Sequence, residues 1–157
     1  MAPPGDIVAL LINFRYYLFM FEGCLYFNTT ALARAVEKGW SQAYRRFDLT
    51  PAQAFCLRAL IAHPGSKPSA LAEILGISRP TATRMLDQLE RKRLAVRQAS
   101  AEDNRESIVM PTRKALTAAA GIERASAEMT AKMKTALGDE EFHKVVTRLK
   151  SARAFLE

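Results

Sequence analysis

Apolar residues recur every three to four positions along most of the chain, a period that is typical of amphipathic helices. A capping sequence begins one of them, because Thr50 can cap the helix end, Pro51 fits the first turn and Gln53 completes a capping box. The pattern predicts helices at residues 24–47, 51–62, 68–75, 79–93, 113–137 and 139–157. The chain is therefore predicted to be mainly α-helical.

The stretch GISRPTATRML at residues 76–86 joins two of these helices through a tight turn. Gly76 can end the first helix in the left-handed conformation, and Ser78 can cap the start of the second. Pro80 falls in the first turn of the second helix, where it removes no intrahelical hydrogen bond. Two helices joined in this way, the second one basic, are typical of a helix-turn-helix.

The pattern changes after this helix pair, where β-forming residues replace the helical period. Val96 and the run Ile108–Met110 flank the polar tip QASAEDNRES, which predicts two short strands around a charged loop. Pro111 and Thr112 end the second strand. The sequence thus predicts a winged helix-turn-helix with a two-stranded β-wing.

The charge of the chain is concentrated at this motif. The 157 residues include 23 basic and 16 acidic side chains, which gives a formal net charge of +7. From Arg79 through Arg97 there are six basic residues and two acidic ones. A basic helix face alone is also typical of ordinary solvated surface, but together with the tight turn and the wing it favours double-stranded DNA as the partner.

One side of the predicted second helix carries the candidate chemistry. If Ala82, Met85 and Leu86 face the core, short polar and basic side chains lie on the opposite side. Arginine can hydrogen-bond guanine, threonine can touch a thymine methyl group or a phosphate, and glutamine can read adenine. At the wing tip, an arginine suits the negative potential of a narrow minor groove, and Asp103 is expected to hold an arginine in place. The candidate DNA-binding residues are Arg79, Pro80, Thr81, Thr83, Arg84, Asp87, Gln88 and Arg105.

The two cysteines and the apolar N-terminal run bear on where the protein works. Cys24 and Cys56 form neither a disulfide framework nor a zinc-finger spacing, which favours a reducing cytoplasm. The apolar run at residues 7–21 is interrupted by polar residues and is shorter than the roughly 20 residues of a spanning helix. We therefore expect no membrane attachment. Whether Met20 is the native start, with residues 1–19 a translated upstream stretch, stays open.

Taken together, these features resemble the MarR family of winged helix-turn-helix regulators over about residues 24–157. Arg93 stands where that family usually has glycine, Pro111 replaces a usual apolar residue and Ala115 replaces a common glycine. The helix end at Arg93 is expected to tolerate a left-handed conformation without glycine or to end differently. The motifs that carry the resemblance are CLYFNTTALAR, LTPAQ, LAEILGISRPTATRMLDQLERKRL and the wing AEDNRESIVMPT with its D-x-R pair.

The resemblance implies a homodimeric repressor whose N- and C-terminal dimerisation helices interleave and place two recognition helices on a pseudo-palindromic operator. It also implies release by a small aromatic or anionic effector, with Trp40, Tyr44 and Arg45 as a candidate pocket, although their helical spacing also fits a core. The implied division is a dimerisation arm at 1–47, a winged helix-turn-helix DNA-binding region at 48–112 and C-terminal helices at 113–157 that complete the dimerisation region.

Other functions remain open alternatives at this point. A thiol-based redox-sensing regulator would use Cys24, for which a buried or idle thiol is the plainer interpretation. A winged-helix module for protein interaction is another alternative. The chain contains no glycine-rich phosphate loop, no metalloprotease motif and no nucleophile elbow, and its two histidines, His63 and His143, are isolated. We therefore expect no enzyme activity, no metal and no cofactor.

Overall fold

The computed structural model describes residues 21–99 and 107–156 of the chain. Its described part consists of helices and one two-stranded antiparallel sheet, as the sequence predicts for a winged helix-turn-helix. In chain order the elements are α1 (Leu25–Tyr44), α2 (Pro51–Ala62), α3 (Pro68–Leu75), α4 (Arg79–Arg91), β1 (Ala95–Ala99), β2 (Ser107–Pro111), α5 (Arg113–Leu137) and α6 (Asp139–Leu156). The mainly α fold class is confirmed.

Two helices end slightly inside their predicted bounds, and one of them is the helix predicted at 79–93, which ends at Arg91. The predicted helix at 24–47 ends at Tyr44, and residues Arg45–Phe47 form a single 3-10 turn. The next residue, Asp48, adopts the left-handed conformation with φ 54°, and this change of direction separates α1 from α2. Helical periodicity continues through such a turn, so it does not mark the end of the helix.

The predicted capping box and helix caps are present. The hydroxyl of Thr50 accepts from the backbone N–H of Gln53 at 3.2 Å, while the Gln53 side chain accepts from the backbone N–H of Thr50 at 3.2 Å. Gly76 ends α3 with φ 62°, and Ser78 accepts from the backbone N–H of Thr81 at the start of α4. These local bonds set the short turn between α3 and α4, because each one satisfies a backbone group that the helix end leaves unpaired.

The turn that ends α4 carries an arginine where glycine is usual. Arg93 adopts φ 58° in the left-handed region, where most side chains are disfavoured. Its N–H donates to the carbonyl of Glu90 at 2.8 Å, and the N–H of Leu94 donates to the carbonyl of Leu89 at 2.8 Å. These two bonds make the Schellman arrangement that normally carries glycine. Of the two outcomes expected for Arg93, the structure shows the left-handed conformation without glycine.

A single core gathers around α2 and α4, and the hairpin packs against it. Strand β1 pairs with β2 so that Arg97 lies opposite Val109, and Val109 also bridges to Ser66 in the turn after α2. The fully buried apolar side chains come from helices on both sides of the hairpin and from β2: Leu57, Leu60, Leu71, Leu86, Leu89, Val109 and Ile122.

The described residues form two compact units, and the division falls within α1, where Gly39 ends the first unit and Trp40 begins the second. Within the described ranges, no helix is long and apolar enough to cross a membrane. The predicted wing-tip residues Asp103 and Arg105 lie outside the described residues, as do residues 1–19.

Candidate nucleic-acid interface

Helix α4 has one buried side and one exposed side. Ala82, Leu86 and Leu89 are fully buried in the core, and Met85 packs against it, so these residues fix the rotation of the helix. The candidate residues on the opposite side are exposed: Arg79, Pro80, Thr83, Arg84 and Gln88. The arrangement presents two guanidinium groups and a threonine hydroxyl along the first two turns of α4.

Thr81 lies at the edge of this side and is half-buried. Its hydroxyl lies 2.8 Å from the hydroxyl of Ser78 and 3.5 Å from Nη2 of Arg84. The structure therefore gives Thr81 a local function at the helix start, and it places the Arg84 guanidinium over the first turn of α4.

Gln88 is exposed but anchored at one end. Its Oε1 accepts from Nε2 of Gln53 at 2.8 Å, and Gln53 itself is buried at the start of α2. Because Gln53 also closes the capping box with Thr50, this bond connects the exposed side of α4 to the first turn of α2. The Gln88 amide is thereby oriented before any ligand arrives.

Asp87 is paired within the protein. Its Oδ1 lies 2.7 Å from Nη2 of Arg97 in strand β1, and the same guanidinium also pairs with the carboxylate of Glu90. In the sequence Arg97 is only one of six basic residues between Arg79 and Arg97, and its pairing with Asp87 and Glu90 was not predicted. The signal that could have found it is the pair of carboxylates three residues apart on α4, close in sequence to an arginine in the following strand.

The candidate effector residues take different positions. The rings of Trp40 and Tyr44 stack with centroids 5.5 Å apart, and Trp40 also lies 5.2 Å from the ring of Phe55. Tyr44 is fully buried, whereas Arg45 is exposed in the 3-10 turn. The structure thus brings the two aromatic residues together in an aromatic cluster at the core and leaves Arg45 on the surface.

Two cavities flank the turn between α1 and α2. One, with a volume of about 300 Å³, is lined by Arg45 and neither Trp40 nor Tyr44 lines it. The other, which we call the elbow cavity, has a volume of about 310 Å³. Its basic residues are Arg46, Lys92 and Lys114, and its apolar ones are Phe47, Leu49, Leu94, Ala118 and Ile122.

A charged contact lies beside the elbow cavity, at the end of α4. Lys92, the residue after α4, places its Nζ 2.8 Å from Oδ2 of Asp48 and also donates to the Asp48 carbonyl. Lys114 donates to the carbonyl of Lys92 at 2.9 Å. The hydrogen bond and the positive charge of Lys92, with a smaller contribution from Lys114, lower the pKa of Asp48.

The two cysteines occupy different surroundings. Cys56 is fully buried in the core, and burial raises the pKa of its thiol to about 11, so it stays protonated at neutral pH. Cys24 is half-buried just before α1. Among the described residues, no group of histidine, cysteine, aspartate and glutamate is arranged to hold a metal ion.

A capped helix with an exposed basic side, preceded by a tight turn and followed by an antiparallel hairpin, defines a winged helix-turn-helix protein. Residues 47–106 match the model of the MarR family. No curated protein matches the chain. The matched region contains the elements from α2 to β1, and therefore the exposed side of α4.

Solved structures agree with that match. The repressor CouR bound to a 23-mer DNA duplex is 29% identical, with a TM-score of 0.72 over 84% of this chain and 94% of that one. CouR bound to p-coumaroyl-CoA is 27% identical, with a TM-score of 0.76 over 85% and 94%. The S. aureus MepR–DNA complex shares the fold at 23% identity, with a TM-score of 0.75 over 83% and 97%. Over residues 47–106 the chain is thus similar to the MarR family, and it has the winged helix-turn-helix fold of these transcriptional regulators.

Proposed function

We propose that this regulator is a repressor that binds a pseudo-palindromic operator in double-stranded DNA as a homodimer and leaves it when a small effector binds. The exposed side of α4 carries the proposal, because Arg79, Thr83 and Arg84 stand free of the core on its first two turns. The CouR structure with a 23-mer DNA duplex supports it by likeness of fold.

Each side chain on α4 has a separate function in this proposal. Arg84 donates to a guanine edge in the major groove, Thr83 contacts a thymine methyl group or a phosphate, and Arg79 contacts the backbone. Gln88 reads a base with an amide that Gln53 already orients. Asp87 acts through Arg97 and touches no base. Arg105 at the wing tip, supported by Asp103, completes the site as a minor-groove contact.

The homodimer is supported by apolar residues left uncovered in each compact unit. In the first unit Leu25 and Tyr26 are 61% and 78% exposed, and in the second unit Phe155 and Leu156 are 91% and 77% exposed. Large apolar side chains at such exposure are typical of surfaces that a partner covers. We propose that a second copy of the chain covers them, which places two α4 helices on successive half-sites.

We further propose the elbow cavity as the effector site. It combines an apolar lining with three basic side chains, a composition that suits an aromatic ligand with one negative charge. A ligand there would compete with Asp48 for Lys92, which is the residue that follows α4. The Trp40, Tyr44 and Arg45 set remains an alternative. If aromatic carboxylates no longer release DNA from the Lys92→Met variant, the elbow cavity is the effector site, whereas unchanged release favours the alternative set.

The experiment that tests the function is selection of bound duplexes from a random pool, followed by affinity measurements at several salt concentrations. The wild-type protein should select a two-fold symmetric motif, and its affinity should fall steeply with salt as phosphate contacts release counterions. Arg84→Ala should lose about 1–3 kcal/mol on the selected duplex and relax one base position. Arg124→Ala, which removes an exposed charge from α5, is the matched control and should bind as the wild type does.

The outcomes also separate the alternatives that the sequence leaves open. A shallow salt dependence with no selected motif would contradict the proposal and favour a protein-interaction module. Loss of DNA binding on peroxide treatment that Cys24→Ser prevents would favour the thiol-based regulator. An unchanged affinity in peroxide is the expected result.

A further inference from the structure

One arginine of strand β1 spans two carboxylates of helix α4. Nη2 of Arg97 lies 2.7 Å from Oδ1 of Asp87, and its Nη1 donates to Oε2 of Glu90. Asp87 and Glu90 are three residues apart and therefore share one side of the helix. A planar guanidinium with separate donors can reach both groups at once, whereas the single ammonium of lysine is a point charge. We call these three residues the Arg97 clasp.

The clasp also holds the backbone of the strand. The N–H of Arg97 donates to Oε1 of Glu90 at 2.9 Å, so the one carboxylate of Glu90 binds both the side chain and the main chain of Arg97. The side chains of Arg97, Asp87 and Glu90 are 30%, 41% and 28% exposed. Partial burial reduces the screening of the ion pairs by salt.

The pairing of the hairpin explains why this N–H is free to bond Glu90. In an antiparallel pair, residues alternate between those that bond across the pair and those whose N–H and C=O point outward. Val109, opposite Arg97, uses its N–H and C=O on its outer side, at 3.0 Å from Ser66 and 2.9 Å from Gly65. The N–H of Arg97 therefore points to the outer edge of β1, where Glu90 lies.

The hairpin is thus held from both edges by different parts of the fold. The turn after α2 holds β2 through Gly65 and Ser66, and α4 holds β1 through the clasp. The first contact is backbone to backbone, but the second depends on three ionised side chains. Replacing one of them can change the placement of the strands against α4 without altering the core.

We infer that the Arg97 clasp sets the position of the wing relative to the recognition helix, and that its three members are positioning residues for DNA specificity. The inference rests on the proposed function. The clasp also neutralises two carboxylates that α4 would otherwise present close to phosphates. Arg97 therefore acts within the protein, although its charge alone would suit a phosphate contact.

A first experiment tests the clasp without DNA, by amide hydrogen exchange. The Arg97 amide in Glu90→Ala should exchange about tenfold faster than in the wild type, because the acceptor is lost. Glu90→Gln keeps an oxygen at Oε1 and should exchange nearly as the wild type does. Exchange that is equal in the wild type and Glu90→Ala would overturn the inference, whether or not the protein binds DNA.

A second experiment tests the consequence for specificity. Duplexes are selected from a random pool by the wild type, Arg97→Lys, Arg97→Met and the control Gln98→Met, which alters the exposed neighbour in the same strand. Both Arg97 variants should keep the base preferences at the centre of each half-site, lose those at its outer flank and bind the wild-type duplex about tenfold more weakly. Gln98→Met should match the wild type.

The lysine variant separates positioning from phosphate contact. If Arg97 bound phosphate, Arg97→Lys would keep the flank preference and most of the affinity, and that result would overturn the inference. If the arginine variants fail to fold, the isosteric Asp87→Asn should show the same loss of flank preference, and an unchanged flank in that variant also overturns it. A wild type that selects no motif contradicts the proposed function, while the exchange experiment still decides on the clasp.

Discussion

At the scale of single residues, the family pattern marks Arg93 as an unusual position, but it does not decide which backbone conformation the residue adopts. The resemblance marks this position as one that usually carries glycine, and the structure gives it φ 58° with both bonds of a Schellman turn. A turn of this kind needs the left-handed conformation whichever residue is present. The chain therefore keeps the turn and tolerates the cost of an arginine side chain there.

Replacing Arg93 with glycine should stabilise the protein. The left-handed conformation costs a non-glycine residue about 1–2 kcal/mol, and glycine loses part of this gain to its greater freedom in the unfolded chain. We expect Arg93→Gly to raise the free energy of unfolding by roughly 0.5–1 kcal/mol in urea denaturation. Arg91→Gly, at the last residue of α4, should instead lower it by about 0.5–1 kcal/mol, because glycine there gains nothing from a left-handed conformation. A loss of stability in Arg93→Gly would show that the arginine side chain makes a compensating contact.

The side chains whose partners lie on another element were not predicted from sequence. Residue types and helical spacing placed Arg84 and Thr83 on the exposed side of α4, because that depends only on the rotation of one helix. Arg97 and Lys92 were counted as surface charge, yet they pair with Asp87 and with Asp48. Which acid meets which base depends on how two elements pack, and periodicity within one element does not contain that information.

At the scale of elements, the helix starts were predictable because their causes are local. Thr50 and Ser78 are caps that act on residues three positions ahead, so four residues of sequence are sufficient to locate a helix start. The end of α1 was placed three residues too late, since the 3-10 turn at Arg45–Phe47 continues the apolar spacing of the helix. The break itself was predicted at Asp48, directly after residue 47, and Asp48 adopts the left-handed conformation there.

The contact of Asp48 with Lys92 beside the elbow cavity has a defined dependence on pH. Lys92 lowers the pKa of Asp48 in the folded state below its ordinary value of 3.8. The ion pair therefore contributes to stability at a pH above 3.8, and this contribution is lost as the pH falls through the lowered pKa. Lys92→Met should move the pKa of Asp48 up toward that ordinary value in a carboxyl NMR titration. Lys114→Met should move it less, and equal shifts in the two variants would contradict the assignment of Lys92 as the main cause.

At the scale of the whole molecule, the winged helix-turn-helix was predictable because its parts follow one another in sequence. The tight turn, the basic helix and the β-forming runs all lie within residues 76–111, and each has a composition of its own. The surface that a second copy would cover is not marked by such a continuous run of sequence. It appears in the structure as apolar exposure at the end of α6, where no described residue is buried.

Phe155, at 91% exposure, is the side chain of α6 with the most apolar area to lose to a partner. Replacing it should weaken a homodimer by about 1.5–3 kcal/mol for each copy, because each subunit contributes the same side chain. Sedimentation velocity over a dilution series should therefore show Phe155→Ser dissociating at a higher concentration than the wild type. Lys150→Ser on the same helix is the control, and equal dissociation of the two variants would mean that this end of α6 is not the dimer contact.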